Sequence, residues 1–286
     1  MIARPMTELS YLLAVLSAGA YGAADFLGGL ATKRSPPHSV VVFSQLAGLV
    51  LVLIALPFLP DSSPTASDFA WGAASGLAGG IGVALLYRGL AIGVMSVVAP
   101  VTAVCSVIIP LIVGIALGER PAGLALLGVV LAIVAIVLVS QSGHTEAGKR
   151  ATTGLSIAVA SGICIGVFLV LLQRTGPSAG LWPLAAARVT SVCCFIVVGM
   201  VAREKLRLTR AAAPIVISGG ALDMVANILY LLAVRRGPLG IVATLVSLYP
   251  ASTVVLARLL LRERLRAVQL GGVVCATVAI VLIVSA

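Results

Sequence analysis

Two acidic residues sit deep inside long apolar runs, Asp25 and Asp223. A carboxylate at the centre of a membrane helix costs about 2.5–3.5 kcal/mol to insert, so it is expected to face a wet cavity, a partner or a substrate. Helical spacing gathers polar neighbours around each. Ser17, Tyr21 and Asp25 recur every four residues, and Asp223, Asn227 and Tyr230 stand at i, i+4 and i+7. Each set forms a stripe on one helix face. Arg188, about two turns into another apolar run, could clamp a substrate carboxylate or pair with either aspartate. The chemistry on offer is uptake and release of a proton, or retention of a cationic group. The structural alternatives are a carboxylate paired with an arginine, or Asp25 with Lys33, and an Arg188 that snorkels to the head groups. We expect Asp25, Asp223, Asn227, Tyr21, Tyr230, Arg188 and Ser17 to bind substrate or protons.

Prolines mark a second set of candidates. Pro100, Pro110 and Pro250 interrupt two apolar runs. A proline in a helix interior removes a backbone hydrogen bond and frees a carbonyl, so these residues are candidates for gating or kinks, with harmless kinks as the alternative. Glu119 and Glu263, at the ends of the same runs beside arginines, are expected to pin the turn to the next helix. Tyr21, Tyr87, Tyr230 and Tyr249 are candidate cavity aromatics, and Trp182 suits an anchor at the membrane interface.

Such residues need elements to hold them, and composition decides which. Hydrophobic residues make up 60% of the 286-residue chain and charged ones 10%, with a mean hydropathy of +1.19. A soluble domain carries about a quarter charged residues, so this chain is expected to be an all-α integral membrane protein. The net charge of +10 lies mostly at the ends of the apolar runs, where it meets lipid head groups. No basic run is interleaved with aromatics, which excludes nucleic acid as a partner. The cysteines fall inside apolar runs and the histidines, His38 and His144, in loops, so neither metal nor cofactor is expected. A membrane enzyme would need clustered His, Asp or Glu near a membrane face, and no such cluster is present.

Apolar runs of about 20 residues, enough to span a bilayer, place transmembrane helices near 9–31, 39–59, 69–91, 94–117, 121–140, 154–173, 181–201, 214–234, 239–260 and 267–285. The ten form two copies of one unit at a constant offset of 144 residues, the spacing from Glu119 to Glu263. Gly118-Glu119-Arg120 answers to Arg262-Glu263-Arg264, and Ser17, Gly22, Gly76 and Gly93 pair with Ser161, Gly166, Gly220 and Gly237. The organisation expected is a first repeat at 1–140, a linker at 141–153 and a second repeat at 154–286. Five spans per copy is an odd number, so the second repeat must cross the membrane inverted. Inverted repeats put a pseudo-two-fold axis in the membrane plane and a binding site near the midplane. Sidedness follows from charge. With Arg188 inside a span, Arg4, Arg120, Arg174, Arg235 and Arg236 border one side, and the other thirteen Lys and Arg border the opposite side. The positive-inside rule then places both termini outside.

This architecture resembles the drug/metabolite transporter superfamily, and within it the EamA type. The residues that carry the resemblance are Gly118-Glu119-Arg120, Arg262-Glu263-Arg264, Ser247-Leu248-Tyr249-Pro250 and Arg188 early in the second helix of the second copy. It implies a central cavity lined by both halves, small-molecule cargo and cytoplasmic termini. The chain departs from the pattern where Ser106 matches Pro250 and Ser44 matches Arg188.

The function expected is secondary transport of small metabolites, such as amino acids or related polar or amphipathic compounds, by alternating access. Export across the plasma membrane is the expected direction, with proton coupling open and a monomer or homodimer as the unit. No Gly-rich phosphate loop with Lys is present to use ATP directly. A facilitator, a multidrug exporter of organic cations and a non-transporting scaffold or sensor are the alternative readings.

Overall fold

The computed structural model describes residues 3–58, 62–93, 95–119, 123–140, 147–203, 205–260 and 267–284. Among these the chain is helical with no strand. The first half comprises α1 (Ala3–Thr32), α2 (Pro37–Ala55), α3 (Ala66–Ile92), α4 (Met95–Ala116) and α5 (Gly123–Ser140). The second comprises α6 (Ala147–Gln173), α7 (Trp182–Val201), α8 (Ala213–Val234), α9 (Leu239–Val246), α10 (Tyr249–Leu260) and α11 (Ala267–Val284). Ten spans are present, the ninth split into α9 and α10. Among the described residues α1, α2, α3, α6, α7 and α8 are each long and apolar enough to cross a bilayer.

Helix ends follow local chemistry. Thr65 and Asp68 form a reciprocal capping box at the start of α3, the Thr65 backbone N–H donating to Asp68 Oδ2 at 2.9 Å. Prolines stand in the first turn of α2, α7 and α8, where no intrahelical N–H is needed. The break in the ninth span follows from Pro250. Its missing N–H would have donated to Val246, and its ring excludes that carbonyl from a continuous helix; α9 ends at Val246. By contrast α4 remains helical through both Pro100 and Pro110, so the expected interruption is found in one of the two matching spans. The expected linker at 141–153 is helical from Ala147, because a helix satisfies its own backbone where the chain leaves the bilayer.

The inversion is visible in the packing. Asp68 at the start of α3 accepts from Gly176 N, just past α6, at 2.7 Å. Arg235, after α8, donates to the Gly176 and Gly180 carbonyls at 2.9 Å each. Glu119, after α4, accepts from Leu239 N and Gly240 N at 3.0 and 3.1 Å. All these ends therefore share one membrane face. It follows that α1 runs away from that face and its repeat mate α6 runs toward it. Contacts are exchanged in the same sense: α1 packs along α8 while α3 packs along α6, and α5 packs on α11 at the periphery. Hydrogen bonds obey the same operator. Ser17 Oγ donates to Ala226 O and its mate Ser161 Oγ to Gly82 O, both at 2.7 Å. Glu119 thus does more than hold its own turn; it caps a helix of the other half.

Small residues permit these approaches. A Cβ on Gly76 would overlap the backbone of Ala187 on α7, and one on its mate Gly220 the backbone of Ser44 on α2. Gly76→Val and Gly220→Val are therefore expected to destabilise the protein by at least the ~1–3 kcal/mol of ordinary overpacking, read as a lower thermal midpoint in detergent. Lys33, Arg34, Arg203, Lys205, Arg207 and Arg210 lie on the face opposite Asp68 and Glu119. The positive-inside rule expects that face in the cytoplasm. With the five native cysteines replaced, Ser178→Cys should then react with an impermeant maleimide in intact cells and Lys205→Cys should not; the reverse pattern would put the termini inside.

Candidate functional site

Asp223 is the eleventh residue of the 22-residue α8, about 15 Å from either end at 1.5 Å per residue. That places it near the bilayer midplane. Arg188 from α7 donates one guanidinium nitrogen to Asp223 Oδ2 and another to Gln45 Oε1 on α2. Both ends of the ion pair are buried, 8% exposed for Arg188 and 9% for Asp223. Arg188 does not snorkel to the surface. A second donor secures the carboxylate: Asn227 Nδ2 lies 2.6 Å from Asp223 O and 3.2 Å from Oδ2. Asn227 Oδ1 in turn accepts from Tyr21 OH of α1 at 2.8 Å, and Ser191 Oγ donates to Gln45 Oε1 at 3.1 Å. One network therefore runs from α2 through α7 and α8 to α1 and joins the two halves. Lone charges here would be expensive; paired and hydrogen-bonded ones are tolerated.

The network forms one wall of a cavity with about 710 Å3 of space free of protein atoms, its open mouth included. The first four spans of both halves contribute to its lining, and none of the described side chains of α5 and α11 does. Asp25 lines it one turn beyond Tyr21, is 7% exposed, and has no hydrogen bond among the described residues. Among the described residues neither Lys33 nor an arginine forms an ion pair with it. At the break in the ninth span, Ser247 and Tyr249 enter the lining. The Tyr249 and Tyr21 rings stand 6.4 Å apart at 60°, and the buried Tyr249 hydroxyl has no partner.

The EamA-like transporter family profile matches residues 8–141 and, a second time, 152–285. The chain belongs to the EamA-like transporter family. It is a membrane transporter of small molecules, in which each five-span half is one EamA-like unit. A solved crystal structure is similar over 96% of this chain and 95% of that one, with a TM-score of 0.73 and 13% identity, a likeness of fold. No protein of curated function matches.

Against this EamA-like frame the site is asymmetric. Tyr21, Asp25, Asp223 and Asn227 have as repeat mates Ile165, Leu169, Gly79 and Val83. All eight line the cavity. The packed pair α1 and α8 therefore forms a polar wall, and the packed pair α3 and α6 an apolar one.

Two expected site residues lie elsewhere. Ser17 is fully buried and donates to the α8 backbone, and Tyr230 is fully buried with its hydroxyl on Leu169 O of α6 at 2.8 Å. Both were placed on the right stripe, but the stripe is wider than the cavity and its ends serve helix packing. Tyr87 is likewise buried, against Gly28. Pro110 is outside the lining, while Ser106, whose carbonyl Pro110 frees, is in it; the side chains of Pro100 and Pro250 lie outside the described residues. Trp182 packs edge-on against Phe69 near the start of α3, with ring centroids 6.1 Å apart, at the end of its span. Glu263 lies outside the described residues. Sequence reasoning missed Gln45 and Ser191. The available signals were an amide deep in an apolar run and a hydroxyl three residues beyond Arg188.

Removing one partner of the pair leaves an uncompensated charge. Arg188→Met or Asp223→Leu alone is expected to cost ~3–5 kcal/mol, and the double variant distinctly less than the sum. Denaturation of the four proteins in detergent checks this.

Proposed function

We propose that the protein is a secondary transporter that moves small polar or amphipathic metabolites by alternating access through the central cavity, and that it works as an exporter. The observation that carries this reading is the polar network at mid-membrane, which joins both halves inside one cavity. A scaffold or sensor would have no need for a buried charge pair beside an unpartnered carboxyl, whose retention in a bilayer is costly. The inverted halves supply the motion. Related packings, α1 on α8 and α3 on α6, can exchange roles so that the site opens to each side in turn. The split ninth span and Glu119, which ties α4 to the start of α9, are the parts arranged to rearrange.

Asp25 is the candidate for a coupling proton. Asp223 was the stronger candidate from sequence, but Arg188 and Asn227 already engage it. Within electrostatic range of Asp25 are Tyr21 on its own helix, Asp223 on α8, Tyr249 on α10 and Tyr87 on α3, and Arg188 is paired with Asp223. A carboxyl that a proton and a substrate occupy in turn is sufficient for exchange.

Counterflow in proteoliposomes with a labelled panel of amino acids, nucleosides and organic cations tests the reading. Saturable counterflow of at least one solute is expected, stimulated by an imposed pH gradient. Asp25→Asn should abolish that stimulation, whereas Asp223→Asn should leave it. Gradient-independent counterflow in the wild type would favour a facilitator, and its absence from well-folded protein across the panel would count against transport.

A further inference from the structure

We infer that the cavity takes an amphipathic organic ammonium ion, its cationic head held by Asp25 beside Tyr21 and Tyr249 and its apolar body laid against α3 and α6. This deepens the transport reading and rests on it for the identity of the cavity as the substrate site.

Charge comes first. The charged side chains in the lining are Asp25, Arg188 and Asp223. Arg188 and Asp223 neutralise each other, which leaves Asp25, among the described residues, as the lining carboxyl without a counter-ion, negative once its proton leaves. Arg188 is committed to Asp223 and Gln45, so a substrate carboxylate would have to displace a buried partner. A cation needs to displace only the proton on Asp25.

The surroundings of Asp25 suit such a head group. Tyr21 and Tyr249 line the same cavity as Asp25, with their rings 6.4 Å apart and tilted by 60°. Aromatic faces attract cations through the ring quadrupole, more strongly where water is scarce. The Tyr249 hydroxyl is buried without a partner and within electrostatic reach of Asp25. A buried hydroxyl without a partner is costly. A ligand N–H donor or a bound water, reaching both it and Asp25, would relieve both groups together.

The remainder of the ligand is set by the opposite wall. Gly79, Val83, Ile165, Phe168 and Leu169 offer apolar surface without a polar side chain, and the Phe168 ring packs so close to Gly79 that a Cβ there would overlap it. A small, fully polar cation would leave this wall dry and unfilled. An aryl or alkyl amine fills it.

Binding to the purified full-length protein in detergent, followed by titration calorimetry, tests the assignment with four probes: 2-phenylethylamine, benzyltrimethylammonium, 2-phenylethanol and phenylacetate. Both cations are expected to bind at least tenfold more tightly than the alcohol, and phenylacetate least tightly. Asp25→Asn should weaken both cations at least tenfold while leaving the alcohol within about twofold. Tyr249→Leu should weaken them severalfold, and Tyr249→Phe should weaken the primary amine more than the quaternary one. Equal binding of amine and alcohol by the wild type would overturn the inference without recourse to any variant. So would preference for phenylacetate, unchanged cation affinity in a monodisperse Asp25→Asn protein, or binding of neither cation. The two readings separate cleanly. Cation binding without counterflow would sink transport and keep the ligand class; counterflow of an anionic solute without cation binding would do the opposite.

Discussion

A charge in the middle of a bilayer is costly unless a partner or a wet cavity meets it where it stands. Arg188 and Asp223 meet that demand for each other, and much of the interior is arranged around their meeting. The pair needs α7 and α8 in fixed register, which Gly220 allows by admitting α8 close to Ser44 on α2. It needs the remaining donors and acceptors satisfied, which Gln45, Asn227, Ser191 and Tyr21 supply from α1, α2, α7 and α8. A half-satisfied network at this depth would be worse than an apolar core. The polar site and the helix packing are therefore one construction.

Symmetry and chemistry divide the labour. The repeat reproduces shape: Ser17 and Ser161 make the same bond to the opposite half, and Gly76 and Gly220 admit the same kind of close approach. What binds is where the copies differ. Asp25, Tyr21, Asp223 and Asn227 face a cavity whose symmetry-related positions hold Leu169, Ile165, Gly79 and Val83. A strictly symmetric site would have placed like charges near one another, or none at all. Divergence between the copies turns a symmetric gap into a cavity with a polar side and an apolar side, while the shared backbone keeps the two halves able to exchange conformations.

The broken ninth span shows how one residue type alters a helix only where its surroundings agree. Pro250 and Pro110 both withhold an N–H. At Pro250 the helix stops at Val246 and restarts at Tyr249, which brings Ser247 and Tyr249 to the cavity. At Pro110 the helix continues, with Gly166 of α6 lying close against Ser106 and Pro110. Local sequence marks both sites as weak, and only one of them opens.

Membrane residence, ten spans, the repeat and its inversion were all legible in the sequence, because each follows from a one-dimensional property. Run length sets a span, an odd number of spans inverts the copy, and the offset of 144 residues from Glu119 to Glu263 exposes the duplication. The intramembrane aspartates, Arg188, Asn227 and Tyr21 were legible too, since a polar residue in an apolar run is conspicuous. Which of them share a cavity was not. Ser17 and Tyr230 lie on the same stripes as Tyr21 and Asn227, yet their hydroxyls close helix contacts, because a helix face is longer than the cavity it borders. Arg188 could have met either aspartate; only the packing of α7 against α2, and of α2 against α8, chose Asp223 and left Asp25 unpaired. Periodicity names the residues on a face, whereas distance across the bundle determines the partner of each.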